Sequence, residues 1–314
     1  MSSTTTVRQR RKTTQKASAE SIATAKGRKR LCTFEELPDW QKDNELILDG
    51  YVRETRSVSE CLKSLLYFHN ETVNIYTHLV PGVTYLLMLM FLTDFILIPK
   101  FPSSTMTDYI IINFFLLGAF VCLMCSSCFH CLKQHSEEHS DIWSKVDYMG
   151  IIVLISCSMV SILYYGFHDH LFHFKIFTIV TVILGSCCAA FVLNDRFNSK
   201  NFRVFRASFF VSFGFSGLVP IIFGLVKFGI SESVHRVQLK YVGLEAVFYI
   251  GGAVFYGFRI PENFGPGKFD LVGHSHQIFH VMVVLGSLCH LRAVVGSYIF
   301  MHTGVNYPGF LVFK

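Results

Sequence analysis

Hydrophobic residues run along this chain in long blocks and not in the alternating or three-to-four-residue rhythm of a soluble fold. Tyr148–Tyr165 holds no charged residue in eighteen positions, and Ile176–Asn194 holds none in nineteen. A helix needs about 20 predominantly apolar residues to cross the hydrocarbon core of a bilayer. Seven blocks meet that requirement, at approximately 78–98, 109–131, 146–166, 172–193, 204–227, 239–258 and 276–300. The pattern predicts an all-α fold, a seven-helix transmembrane bundle over 76–302. Pro81 and Pro220 fall within or near blocks one and five, where neighbouring helices can satisfy the freed carbonyls. Arg292, in the seventh block, should face the bundle interior or a water-filled cavity.

The polar stretches complete the outline. The first thirty residues carry nine Lys/Arg against one Glu and no apolar core, so they do not read as a cleavable signal peptide. Residues 1–32 are expected to be a disordered, basic, cytosolic tail with a weak attraction to anionic lipid. Residues 33–75 form an amphipathic segment that opens on a capping-box pair, Thr33 with Glu36, and should lie as short helix against the membrane or the bundle. Residues 303–314 would be a short extracytosolic tail. Composition agrees: 51% of residues are hydrophobic and 16% charged, against about 25% charged in soluble domains. The ten cysteines lie mostly inside apolar segments and suggest no disulfide framework. The expected partners are membrane lipids and not nucleic acid.

Loop charge sets the orientation. With the N-terminus inside, the inner segments hold twenty-one Lys/Arg and the outer ones six. Without the nine of the tail the count is twelve against six, and the positive-inside rule still places the N-terminus in the cytosol. Whether the membrane is the plasma membrane or an endomembrane is left open.

Within this frame the ionisable residues at membrane depth stand out, because they are expensive there and usually functional. His276 and His280 are four apart at the start of block seven, hence on one helical face. His130 ends block two and Asp147 starts block three, on the same side by the topology above. Three imidazoles and a carboxylate at one level suit a zinc ion. The alternative, four unrelated residues at headgroup depth, stays open on these grounds alone. His135 and His139 read better as a solvated loop face, and His168, His170 and His173 as headgroup-level residues. Cys122, Cys125, Cys128 and Cys131 resemble an iron–sulfur run, but on a helix they climb about 13 Å and cannot share one cluster.

Three motifs resemble those of the adiponectin-receptor, progestin-receptor and hemolysin III-like membrane proteins. They are Glu71-x2-Asn74-x3-His78, Ser126-x3-His130 followed by Asp147, and His276-x3-His280. The likeness covers roughly residues 45–300, and the lead-in "FEELPDWQKDNELILDGYV" is most similar to the fungal zinc-homeostasis (Izh-like) branch. The resemblance implies a cytosolic N-terminus, zinc held directly by His130, His276 and His280, and Asp147 acting on that zinc through a water. It gives Glu71, Asn74 and His78 supporting or structural duty, with a simple polar cap on the first helix as the alternative.

Three neutral ligands and an open position are the arrangement of catalytic zinc sites. The resemblance accordingly implies ceramidase-type hydrolysis, with Asp147 as general base and Ser126, one turn before His130, near a developing oxyanion. Ser126 could instead bond the carbonyl four residues back. The substrate would be a ceramide, or its fatty acid product, held in the bundle. A receptor or sensor in which zinc is structural, with an extracellular protein ligand, is the competing expectation. The fungal resemblance also suggests a membrane zinc-handling protein, but no row of acidic or His residues crosses the middle of the helices as transport would need, so zinc homeostasis could be an indirect consequence of altered lipids.

Overall fold

The computed structural model describes residues 31–197 and 202–303. The basic tail expected over residues 1–32 falls almost wholly outside this range, as does the C-terminal tail after 303. Before the bundle, β1 (Leu31–Cys32) pairs antiparallel with β2 (Tyr51–Val52), and a single 3-10 turn covers Phe34–Glu36. The backbone N–H of Thr33 donates to Glu36 Oε2 at 3.1 Å, as the capping-box spacing predicts. Helix α1 (Val58–Ser64) starts at Ser57, whose hydroxyl accepts from the Glu60 N–H. Its Val58 and Leu62, with Leu66 beyond its end, stand one turn apart and exposed.

Seven helices among the described residues are long and apolar enough to cross a membrane. The first starts as α2 (Thr72–Leu92) and runs on through a π turn to Leu97. It is followed by α3 (Met106–Leu132), α4 (Glu137–Gly166) and α5 (Leu171–Val192). The fifth span is built from α6 (Arg203–Phe215) and α7 (Leu218–Phe228), broken at Ser216–Gly217. Pro220 accounts for the break, because its ring excludes the carbonyl of Ser216 four residues back and it has no N–H to offer. The short α8 (Ile230–Arg236) leads to α9 (Leu239–Phe258), and α10 (Ser275–Thr303) is the seventh span.

Expected and observed spans agree in number and order. The largest shift is at α4, which begins nine residues before the expected 146, at Glu137. Its first turns are polar and project beyond the apolar block, so hydropathy alone does not register them. His139 therefore sits in the first turn of a helix and not in a loop, its ring stacked on that of His135 at 3.7 Å. The core lies between α2, α3, α4 and α10, around Phe115, Leu116, Leu123, Tyr165 and Tyr298. Arg292 is buried as expected, its guanidinium 4.8 Å from the centre of the Tyr241 ring.

Small residues let these helices approach closely. A Cβ built on Gly118 of α3 would lie 2.6 Å from Cys157 Cβ of α4. One on Gly150 of α4 would lie 3.1 Å from Cys122 Cα of α3. The cysteine run thus packs a helix interface, where close backbone approach is the main source of cohesion in lipid.

Candidate metal centre

The centre is assembled at the end of α3 and the start of α10. The first turn of α10 is held by Glu262, which is fully buried: its Oε2 accepts from the Ser275 N–H at 2.7 Å and its Oε1 from the Ser275 hydroxyl at 2.5 Å. A carboxylate there satisfies otherwise orphaned donors and complements the positive end of the helix dipole. Gln277 adds ties from its Nε2 to the carbonyls of Leu271 at 2.9 Å and Asn70 at 3.3 Å. With α10 fixed in this way, His276 and His280 present their rings toward α3 from consecutive turns.

His130, four residues after Ser126 on α3, meets them. The ring centres of His130, His276 and His280 are 4.8–4.9 Å apart pairwise. One ligand atom from each lies within 4.8 Å of the others. His130 and His280 are buried, and His276 is half-buried beneath the edge of Tyr256 at 5.1 Å.

The outer nitrogens of two of these rings are already committed. His130 Nδ1 lies 2.8 Å from Glu71 Oε2, and His280 Nδ1 lies 3.0 Å from the Asn74 carbonyl. A carboxylate or carbonyl behind an imidazole fixes its tautomer and turns the other nitrogen toward a metal. His130 Nε2 is buried with no hydrogen-bond partner. An orphaned buried nitrogen of this kind costs about 1–3 kcal/mol unless something binds it. The donor set therefore fits a divalent ion with a preference for imidazole.

Glu71 is the hub behind the rings. It accepts from Asn74 Nδ2 at 2.5 Å and pairs with Lys133 at 2.7 Å as well as with His130. Burial alone would raise its pKa, but Lys133 and His130 hold the carboxyl well below the usual carboxylate range. His78 stacks on His280 with ring centres 3.7 Å apart and planes 4° from parallel. Lys133 and Tyr256 were not singled out by sequence reasoning. Lys133 looks like an ordinary loop cation, and Tyr256 lies twenty residues before His276 with no spacing to betray the contact.

Asp147 and Ser126 stand beside this trio. Asp147 on α4 and Ser126 on α3 are both buried. The carboxylate is not one of the three groups that close within 4.8 Å of one another. Asp147, Ser126, His276 and His280 all line a mainly apolar cavity of about 520 Å³, which extends among α4, α5, α7, α9 and α10.

A bundle of seven spanning helices with a buried imidazole cluster at one end defines an integral, multi-pass membrane protein with a polar centre inside its apolar walls. The family profile described as haemolysin-III related matches residues 66–291. The ADIPOR-like receptor IZH1 of Eremothecium gossypii is 59% identical over 285 residues, covering 91% of this chain and 90% of the relative. The ADIPOR-like receptor IZH2 of Saccharomyces cerevisiae is 47% identical over 290 residues, covering 91% of each. The adiponectin receptor protein of Drosophila melanogaster is 37% identical over 265 residues, 84% of this chain and 59% of that one. The chain belongs to the haemolysin-III-related, adiponectin-receptor-like family of membrane proteins.

Proposed function

We propose that this protein is a zinc-dependent lipid amide hydrolase that acts on ceramide-like substrates from within the membrane. The observation that carries this reading is the opening of one large apolar cavity directly onto His276, His280, Asp147 and Ser126. An apolar cavity of this size suits an acyl chain, and the polar end suits the amide.

His130, His276 and His280 would hold zinc, and when bound there it supplies a Lewis acid and lowers the pKa of a bound water. Glu71 and the Asn74 carbonyl keep the rings turned for this duty. An Asp147 carboxylate oxygen accepts the proton of the attacking water and returns it to the departing amine nitrogen. The Ser126 hydroxyl, from the same cavity wall as Asp147, would donate to the amide oxygen as charge builds on it. The apolar walls exclude bulk water, which strengthens each of these interactions.

The test is metal analysis of purified protein together with fatty acid release from ceramide. Asp147→Asn should lower the rate by at least about 100-fold, the usual worth of a general base, with zinc still bound. If protein with stoichiometric zinc releases no fatty acid, the enzyme reading is wrong. The second reading is a receptor, favoured by the names of the relatives IZH1 and IZH2. In that case zinc is structural, and Asp147→Asn leaves signalling nearly intact.

A further inference from the structure

The same cavity meets a second polar level that the hydrolysis mechanism does not use. Glu245 on α9 and His290 on α10 both line it. His290 Nδ1 lies 2.7 Å from Glu245 Oε2, and His290 Nε2 lies 3.1 Å from Ser161 Oγ on α4. His290 follows His280 by ten residues, about 15 Å along α10 at about 1.5 Å per residue. Ser158 follows Asp147 by eleven residues on α4, about 16 Å on the same scale. Two helices thus carry two polar levels at matching separation, joined by apolar space.

Carboxylate, imidazole and hydroxyl in series invite comparison with a nucleophilic triad, but the protons are wrongly placed. Ser161 Oγ donates to the Ser158 carbonyl at 2.8 Å, so its single proton is committed. His290 Nε2 is then the donor to Ser161 Oγ and cannot act as its base. Ser161 is also fully buried and is not among the residues that line the cavity.

Other groups do face the cavity at this level. The Ser158 hydroxyl lines it, in a residue only 6% exposed, and has no hydrogen-bond partner. Tyr249, one turn from Glu245 on α9 and packed on Gly286 of α10, also lines the cavity, and its hydroxyl is likewise buried and unpartnered. Two spare hydroxyl donors, on residues that line the same apolar cavity as Glu245, are costly unless a polar group meets them.

We infer that this level is a second ligand subsite, which recognises a hydroxyl carried far along the acyl chain of a lipid held in the cavity. That hydroxyl donates to Glu245 and accepts from Ser158 or Tyr249. With carbon–carbon bonds of about 1.5 Å at tetrahedral angles, an extended chain advances about 1.25 Å per carbon, so 15 Å corresponds to about twelve carbons. The position of the hydroxyl rests on the reading above that the carboxyl or amide end sits at the His130 cluster.

Equilibrium binding to the full-length protein in lipid nanodiscs tests this without requiring turnover. The ligands are stearate, stearate hydroxylated at its twelfth carbon, and stearate hydroxylated at its second. The twelfth-carbon isomer should bind about tenfold more tightly than either of the others, the worth of one good buried hydrogen bond. Replacing both hydroxyls (Ser158→Ala with Tyr249→Phe) should erase that preference and leave stearate binding unchanged. Equal affinities, a preference for the second-carbon isomer, no binding of any of the three acids, or a preference that survives the double substitution would overturn the inference. Should the double variant not fold, the comparison among the three acids on the unaltered protein decides. A protein that prefers the twelfth-carbon isomer yet releases no fatty acid from ceramide would keep the subsite and lose the hydrolase.

Discussion

Replacing Glu71 with Gln leaves His130 Nδ1 facing a neutral amide and strips Lys133 of its counter-charge at 2.7 Å. Substitutions that loosen the partner behind a ligating imidazole cost about 10–100-fold in metal affinity, and that is the loss expected for Glu71→Gln in a chelator competition titration. A Glu71 with no part in positioning His130 would show none. At this scale the sequence was informative where residues recur at helical spacing. His276 and His280 announce a shared face, and His130 and Asp147 announce a shared depth. The partners that orient these rings are contacts between distant segments, such as His130 with Glu71 and His276 with Tyr256. No local pattern encodes such pairs. Glu71 came into view only through the likeness of its motif to a known one, and Tyr256 did not come into view.

Two joints between elements carry predictions of their own. Gly118→Val on α3 drives a side chain into Cys157 of α4, against which even a bare Cβ comes to 2.6 Å. Overpacking of this kind costs about 1–3 kcal/mol, which thermal unfolding in nanodiscs should register as a lowered Tm. The second joint is the turn after α4, where Asp169 receives two 2.7 Å hydrogen bonds from Arg236 of α8. Arg236 holds the Asp169 carboxyl below the usual carboxylate range, against the opposing effect of burial. A depressed pKa stabilises the fold above the unfolded value of about 3.9, and that contribution disappears as pH falls through the lower folded value. Wild type and Asp169→Asn should therefore differ in Tm at neutral pH and converge only in strong acid. A gap that closes already near pH 6 would contradict this account. Hydropathy gave the spans to within a few residues because lipid demands uninterrupted apolar length. It missed the early start of α4 and the break between α6 and α7. Polar helix outside the apolar block leaves no hydropathy signal, and a proline in a membrane helix does not announce whether its neighbours will bridge it.

At the scale of the whole molecule, the charge bias of twenty-one against six predicts that an N-terminal tag is reached by protease only from the cytosolic side. The same orientation leaves the Asn-Glu-Thr sequon at Asn70 without glycan, since carbohydrate is added on the opposite face. Protection of the tag in permeabilised cells with intact internal membranes, or a glycosidase-sensitive shift in mass, would reverse the topology. The centre itself spans much of the chain: Glu71 and His130 come early, and His276 follows His130 by 146 residues (276 − 130). At about 5–20 residues per second of synthesis, that interval lasts about 7–30 s. For that time a nascent chain holds His130 in the bilayer with its α10 neighbours still unmade. The three-imidazole cluster is therefore a property of the finished bundle, and its formation reports that the seventh helix has been inserted and docked.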